Sequence, residues 1–403
     1  MDVGTMIKTL QDPMGIPFYP ILFQVLMILT FSLHIMFVNF VIGASFLTLY
    51  GYIKGSTYWK DLSRSMARAT TASASMAILL GVAPLLFVQV IYDVFWYASN
   101  MLSAAWVIGF ILILMTAYSL TYIFYLKRDS KGNSFAIFGI IAFALFIFAG
   151  VIMHALGYQL LQPAKWLDWY VRGDTADTSG VSLHAFQLSR FLHFIVPSFA
   201  MTGILLMLYA WYFKDRNDKD KEYLQWVGKM GANMAFVFTA IQAAAGLWWL
   251  LSLPSKFRFF LDPFFLISAG LGIVLLVYLY SARKDPVRYA VPGILLAFLT
   301  ILGMSYARES LRMKYLGRFD YSIFNYKLNL DYGSTFLFLS TFAVGLVIAG
   351  YLLAVAYKSG KAAGEYVSTP SMNRWGKVSI ALLLIWIAIV AGLGIVISIK
   401  NYL

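Results

Sequence analysis

Residues 135–161 read FAIFGIIAFALFIFAGVIMHALGYQLL, an apolar run without a single Asp, Glu, Lys or Arg. Coiled as a helix, a run of this length measures about 40 Å, enough to cross the roughly 30 Å of hydrocarbon in a bilayer. Comparable runs lie near 19–50, 72–95, 103–126, 185–213, 230–253, 263–281, 289–306, 334–357 and 377–399. The chain therefore reads as all-α: a polytopic transmembrane helix bundle of about ten spans. It is divided here into an N-terminal outer segment, 1–18, and a single transmembrane domain, 19–403.

Composition excludes the alternatives. Of 403 residues, 61% are hydrophobic and 12% are charged, against about 25% charged in soluble domains. The apolar runs leave no room for a separate soluble domain of ordinary size. Cysteine is absent, which excludes disulfides, iron–sulfur clusters, thiolate zinc sites and covalently attached c-type haem. No 20–50-residue repeat and no inverted halves are visible, so the signature of many secondary transporters is missing. The polar N-terminus lacks the order of regions found in signal peptides.

The net charge of +13 is read as a loop bias, not as affinity for nucleic acid. One alternating set of loops carries Lys54, Lys60, Arg64 and Arg68; Lys127, Arg128 and Lys131; Lys214 to Lys229; Arg283 to Arg288; and Lys358 to Lys377. It holds 19 of the 31 basic residues, and the opposite set with both termini holds 11. The positive-inside rule then makes the first set cytoplasmic and both termini periplasmic, in a bacterial inner membrane. Two long outer connections follow, at 162–184 and 307–333.

Four histidines are present: His34, His154, His184 and His193. The assigned orientation puts His34, His154 and His193 at comparable depth in the outer half of the membrane, and His184 at the water interface. An ionisable group in hydrocarbon is costly and is kept for ligands, proton paths or pairing. The plain alternative for each is an interhelical hydrogen bond. Three at one depth favour a ligand, and haem b suits them better than a bare ion. A zinc or copper site wants clustered ligands, often carboxylates, and the spans have almost none. Haem needs one or two axial ligands and an apolar slot.

His184 and His193 are nine residues apart, half a turn out of phase on one helix. Arg190 and His193 share a face, so Arg190 is expected to meet a haem propionate or else to snorkel to the interface.

The stretch from His34 through Phe37, Val38, Gly43, Ser45, Phe46 and Leu47 resembles the first helix of subunit I of cytochrome bd quinol oxidases. Arg190-Phe191-Leu192-His193 is similar to that family's basic-Phe-Val-His motif. Leu80-Gly81-Val82-Ala83, Trp96-Tyr97, Gln162-Pro163 and Ala210-Trp211-Tyr212 also fit. The likeness covers a core of about 19–215, and 216–403 is divergent. It implies that His34 and His193 are haem ligands. It also implies departures. A helix-two Glu of the family is Gln89 here, and the acidic residue expected in the third helix is missing. The Met ligand position falls on Ser268, the quinol loop shrinks to Ser252–Lys256, and the late Glu ligand has no counterpart.

A glutamine cannot titrate as a carboxylate does. The sequence therefore leads to a haem b-containing electron-transfer subunit with two or more haems, bis-His pairs through His154 and His184 being possible. It would exchange electrons between membrane quinol or quinone and a periplasmic c-type cytochrome. Arg308, Glu309 and Arg312, on the outer loop, are candidates for a quinone head or for partner docking. A divergent terminal oxidase and a haem-free transporter or structural subunit stay open as alternatives.

Overall fold

A computed structural model describes residues 2–129 and 135–402. Lys131, counted above in one of the basic loops, lies outside them. The elements in chain order are α1 (Val3–Leu10), α2 (Pro20–Lys54), α3 (Thr57–Ile91), α4 (Asp93–Leu102), α5 (Ala104–Lys127), α6 (Ala136–Gln159) and α7 (Trp166–Tyr170). A two-stranded antiparallel ribbon follows, β1 (Val171–Arg172) and β2 (Thr175–Ala176), with Val171 opposite Ala176. Then come α8 (Leu188–Ile195), α9 (Pro197–Phe213), α10 (Lys221–Leu251), α11 (Pro263–Ala282), α12 (Ala290–Leu316), α13 (Tyr332–Lys361) and α14 (Pro370–Tyr402).

Ten helical segments among the described residues are long and apolar enough to span a bilayer, with α8 and α9 counted as one interrupted span. The chain is a multi-pass membrane protein. Pro197 explains the interruption: it lacks an N–H and clashes with the preceding turn, so the helix restarts there.

Hydropathy alone underestimates three helices. α3 begins at Thr57 rather than near 72, α10 at Lys221 rather than near 230, and α12 runs on to Leu316 rather than ending near 306. Their extensions carry charge, which breaks an apolar run, yet they keep helical spacing. Leu62 and Met66 in α3 are buried four apart, as are Ala307, Leu311 and Tyr315 in α12. Arg308, Glu309 and Arg312 therefore lie on a helix inside the bundle, not on an outer loop.

Helix starts follow side-chain chemistry. Asp220, Asp262 and Asp331 accept hydrogen bonds from the first-turn N–H groups of α10, α11 and α13, which satisfies orphan donors. Proline opens α2, α9 and α11, where its missing N–H costs nothing.

The spans are held mainly by close packing, because lipid offers apolar side chains as good a home as a neighbouring helix. α9 and α10 cross at Gly203 and Gly231. A Cβ on either glycine would come within 2.6 Å of the other's carbonyl oxygen, so only glycine permits the approach. At one end of the bundle, α1, α4, the 162–187 connection and the 317–331 connection close over an aromatic cluster. It contains Tyr92, Phe95, Trp166, Tyr321 and Tyr326. Ile7 and Ile16 of the N-terminal segment are buried in it. At the far end of the sequence, α13 and α14 pack on each other, and the most apolar stretch of each has no buried residue.

Candidate functional site

A cavity of about 430 Å³ opens between α2, α8, α9, α10, α11 and α12. Most of its wall is apolar. The ring of His193, from α8, lines it beside Phe194 and Trp249. The Nδ1 atom of His193 is buried and makes no hydrogen bond of regular geometry. Arg308 and Leu311 of α12 form one end, and Met304, Gln242, Ser268 and Asn39 add polar or polarisable groups. Gln242 Nε2 lies 3.8 Å from the sulfur of Met304.

Three guanidiniums gather at that end. Arg190, Arg308 and Arg312 share the lining of a second, small cleft with Tyr158, Tyr315 and Trp249. Arg308 also lines the large cavity, so the two spaces adjoin. Arg312 pairs with Glu309 at 2.9 Å, one helical turn away, and both side chains are at most 8% exposed. Glu309 is held further by Gln24 Nε2 at 3.2 Å and by the Tyr92 hydroxyl, which donates to it. Among the described residues, Arg190 and Arg308 have no ion-pair partner. Arg190 Nη2 donates to the Gly157 carbonyl at 3.4 Å, while its buried Nη1 donates to nothing. Arg308 lies over the ring of Phe31 at 4.0 Å. Arginine stays protonated in proteins, so three cations meet one carboxylate.

His34, on α2, does not line this cavity. It turns toward α3, where Nδ1 lies 2.8 Å from the Ala77 carbonyl and the ring packs on Gly81. His154, on α6, is buried between Phe186 and Phe191, and its Nε2 accepts from the Gln187 N–H at 3.3 Å. His184 precedes α8 rather than lying on it, so the half-turn relation to His193 does not apply. Its ring stacks on Trp169 at 5.2 Å, its Nε2 lies 3.2 Å from the Leu102 carbonyl, and its backbone N–H donates to Gln159. No two histidines are in contact in this arrangement. What converges is His193 with Arg190 and Arg308, and Glu309 with Arg312.

Two features escaped the sequence. Met304 looks like ordinary core in an apolar span, and only its place across the cavity singles it out. The Tyr92–Glu309 contact joins residues 217 apart; a lone buried carboxylate in α12 was the signal available for it.

No protein-family model matches the chain, and no curated protein is similar to it. Among solved structures, the bd oxidase from Geobacillus thermodenitrificans superimposes with a TM-score of 0.64. The alignment covers 85% of this chain and 98% of that one, at 13% identity. The bundle has a bd-like fold. At that identity the likeness concerns the path of the backbone.

Proposed function

We propose that this chain is a haem b-bearing subunit that moves electrons through the membrane. The carrying observation is His193: a buried histidine on the wall of an apolar cavity, with Arg308 at the end of that cavity and Arg190 in the cleft that adjoins it. These residues fit a flat macrocycle with carboxylate arms. His193 would supply an axial nitrogen, the apolar wall would exclude water, and Arg190 and Arg308 would meet the propionates through charge-assisted hydrogen bonds. Haem bound there supplies one-electron chemistry. The bd-like fold supports the same reading, and the resemblance around His34 supports a second haem on α2.

The electron donor or acceptor in the bilayer is a quinol or quinone, and a c-type cytochrome at the periplasmic face is the expected partner, with both termini on that face. Glu309 and Arg312 are buried against each other, so docking of that partner falls to the exposed Arg318 and neighbouring groups of the 317–331 connection. Gln89 stands where the family carries a glutamate, which favours electron transfer over oxygen reduction.

The test is a dithionite-reduced-minus-oxidised spectrum of the purified chain with a pyridine haemochrome count. Two or more b haems per chain, with no shift under carbon monoxide and no oxygen uptake with quinol, are expected. A colourless, folded protein from haem-replete cells overturns the proposal, and a carbon monoxide shift with oxygen uptake replaces it by an oxidase.

A further inference from the structure

His34 and His193 lie on different helices and pack against different neighbours, yet they are seated in the same way. Each ring rests on a glycine of the adjacent helix. A Cβ on Gly81 would come within 2.9 Å of Cε1 and 3.0 Å of Nδ1 of His34, with Nε2 farther away at 3.7 Å. A Cβ on Gly246 would come within 2.9 Å of Cε1 and 3.0 Å of Nδ1 of His193, with Nε2 at 4.0 Å. The two sets of distances differ by at most a few tenths of an ångström.

At His34 a backbone partner is in place as well. Nδ1 of His34 reaches the carbonyl of Ala77, four residues before Gly81. At His193 the carbonyl four residues before Gly246 is that of Gln242, and Nδ1 makes no hydrogen bond of regular geometry. In a helix the carbonyl of residue i lies beside the side chain of residue i+4, because that is where its own hydrogen bond goes. A side chain at i+4 shields that oxygen. A glycine there opens a notch through which an imidazole can reach the second lone pair.

We propose that Gly81 and Gly246 are positioning residues: each holds the Nδ1 edge of its histidine against the neighbouring helix and leaves Nε2 directed away as the iron-binding nitrogen. This rests on the haem reading above and deepens it. At His34, donation of Nδ1–H to the Ala77 carbonyl fixes the tautomer and raises the basicity of the other nitrogen, which is what a histidine ligand to iron requires; at His193 the glycine seat alone sets the ring's position. A methyl group at either glycine would push the ring from 2.9 Å back to ordinary contact at about 3.4 Å or more. That is a displacement of about half an ångström, the tolerance within which a ligand must be held.

The experiment compares Gly81→Ala and Gly246→Ala with His34→Ala and His193→Ala in the full chain. Gly109→Ala and Gly270→Ala serve as controls, since a Cβ at either meets nothing within 4 Å. Haem per chain, low-temperature reduced spectra and redox titrations are read on each. Gly81→Ala is expected to lose or shift the spectral component that His34→Ala removes, and no other. Gly246→Ala should do the same for the His193 component, and the controls should match the wild type. Detergent-solubilised unfolding curves identify any variant that fails to fold. For such a variant the folded fraction is isolated by size-exclusion chromatography, and it must show the same component-specific change. A pigmented wild type whose components and midpoints are unchanged by both glycine variants overturns this assignment while leaving the haem reading intact. A colourless wild type overturns the haem reading, and the assignment with it.

Discussion

Removing the carboxylate of Glu309 is expected to destabilise the bundle more than removing any surface charge. Glu309 is 3% exposed and Arg312 is 7% exposed. Two unit charges about 4 Å apart attract by about 4 kcal/mol at an effective dielectric constant of about 20. Breaking a buried pair by deleting one member costs about 3–5 kcal/mol, because the survivor is left uncompensated. Here the penalty falls at the upper end, since Arg190 and Arg308 stand beside Arg312 and Glu309 is the carboxylate in contact with the group. Glu309→Gln keeps the shape and an oxygen for Tyr92 but removes the charge. Arg312→Met removes the cation and keeps an unbranched side chain beside Met27. Each single variant should lose about 3–5 kcal/mol. The double variant should lose far less than the sum, since replacing both partners is often close to neutral. The coupling energy is then about 3 kcal/mol or more. Unfolding in mixed detergent micelles, followed by tryptophan fluorescence, measures all four proteins. Additive losses, or single losses below about 1 kcal/mol, would refute the idea that a buried ion pair holds α12 in place.

His34→Ala and His193→Ala should each remove one haem equivalent in the haemochrome assay, without loss of the folded protein. His184→Ala should keep its pigment but expose the 162–187 connection to protease, because the ring ties Trp169 to the Leu102 carbonyl; an unchanged digestion pattern would count against that role. Burial, together with the neighbouring Tyr326 and Asp93, pushes the Tyr321 phenol well above its usual value. Folding therefore favours the neutral phenol, and its contribution is full below about pH 10 and lost as pH rises through the folded value. Stability measured from pH 8 to 11 should fall at the alkaline end, and Tyr321→Phe should flatten that fall.

Much of this architecture was legible because a bilayer imposes a harsh rule. Every span must satisfy its own backbone, so an apolar run of sufficient length can only be a helix. The runs at 103–126, 135–161 and 263–281 match α5, α6 and α11 within a few residues for that reason. Where charges entered a helix the reading failed. Arg308, Glu309 and Arg312 looked like loop because their desolvation is expensive, and they are inside because Glu309 pairs with Arg312 and is held by Gln24 of α2 and by Tyr92 at the α3–α4 junction, while Arg308 lies over Phe31. Contacts across such distances in sequence leave no local trace. His193 was legible as an intramembrane histidine, but its cavity was not, since a cavity is a property of six packed helices. His184 was misplaced for a simpler cause: the helix start at Leu188 is marked by no strong cap.

The distribution of carboxylates carries the functional argument one step further. Among the described residues of the ten spans, acidic side chains occur at Asp61, Glu222 and Glu309 alone. Asp61 pairs with Arg64 at an exposed position, and Glu222 lies in the exposed first turn of α10. Glu309 is the one acidic group deep in the bundle, and its two oxygens are taken by Arg312, Tyr92 and Gln24. A carboxylate so engaged is a structural group, tying α12 to α2 and to the α3–α4 junction. Asp262, which caps α11, is the other buried carboxylate among the described residues, and it is held by Ser310 and Lys314. Moving an electron between two haems requires no relay of protons. On the proposed reading, a bd-like bundle whose buried carboxylates are both engaged retains the half of the chemistry that a fixed, apolar, positively flanked cavity can perform.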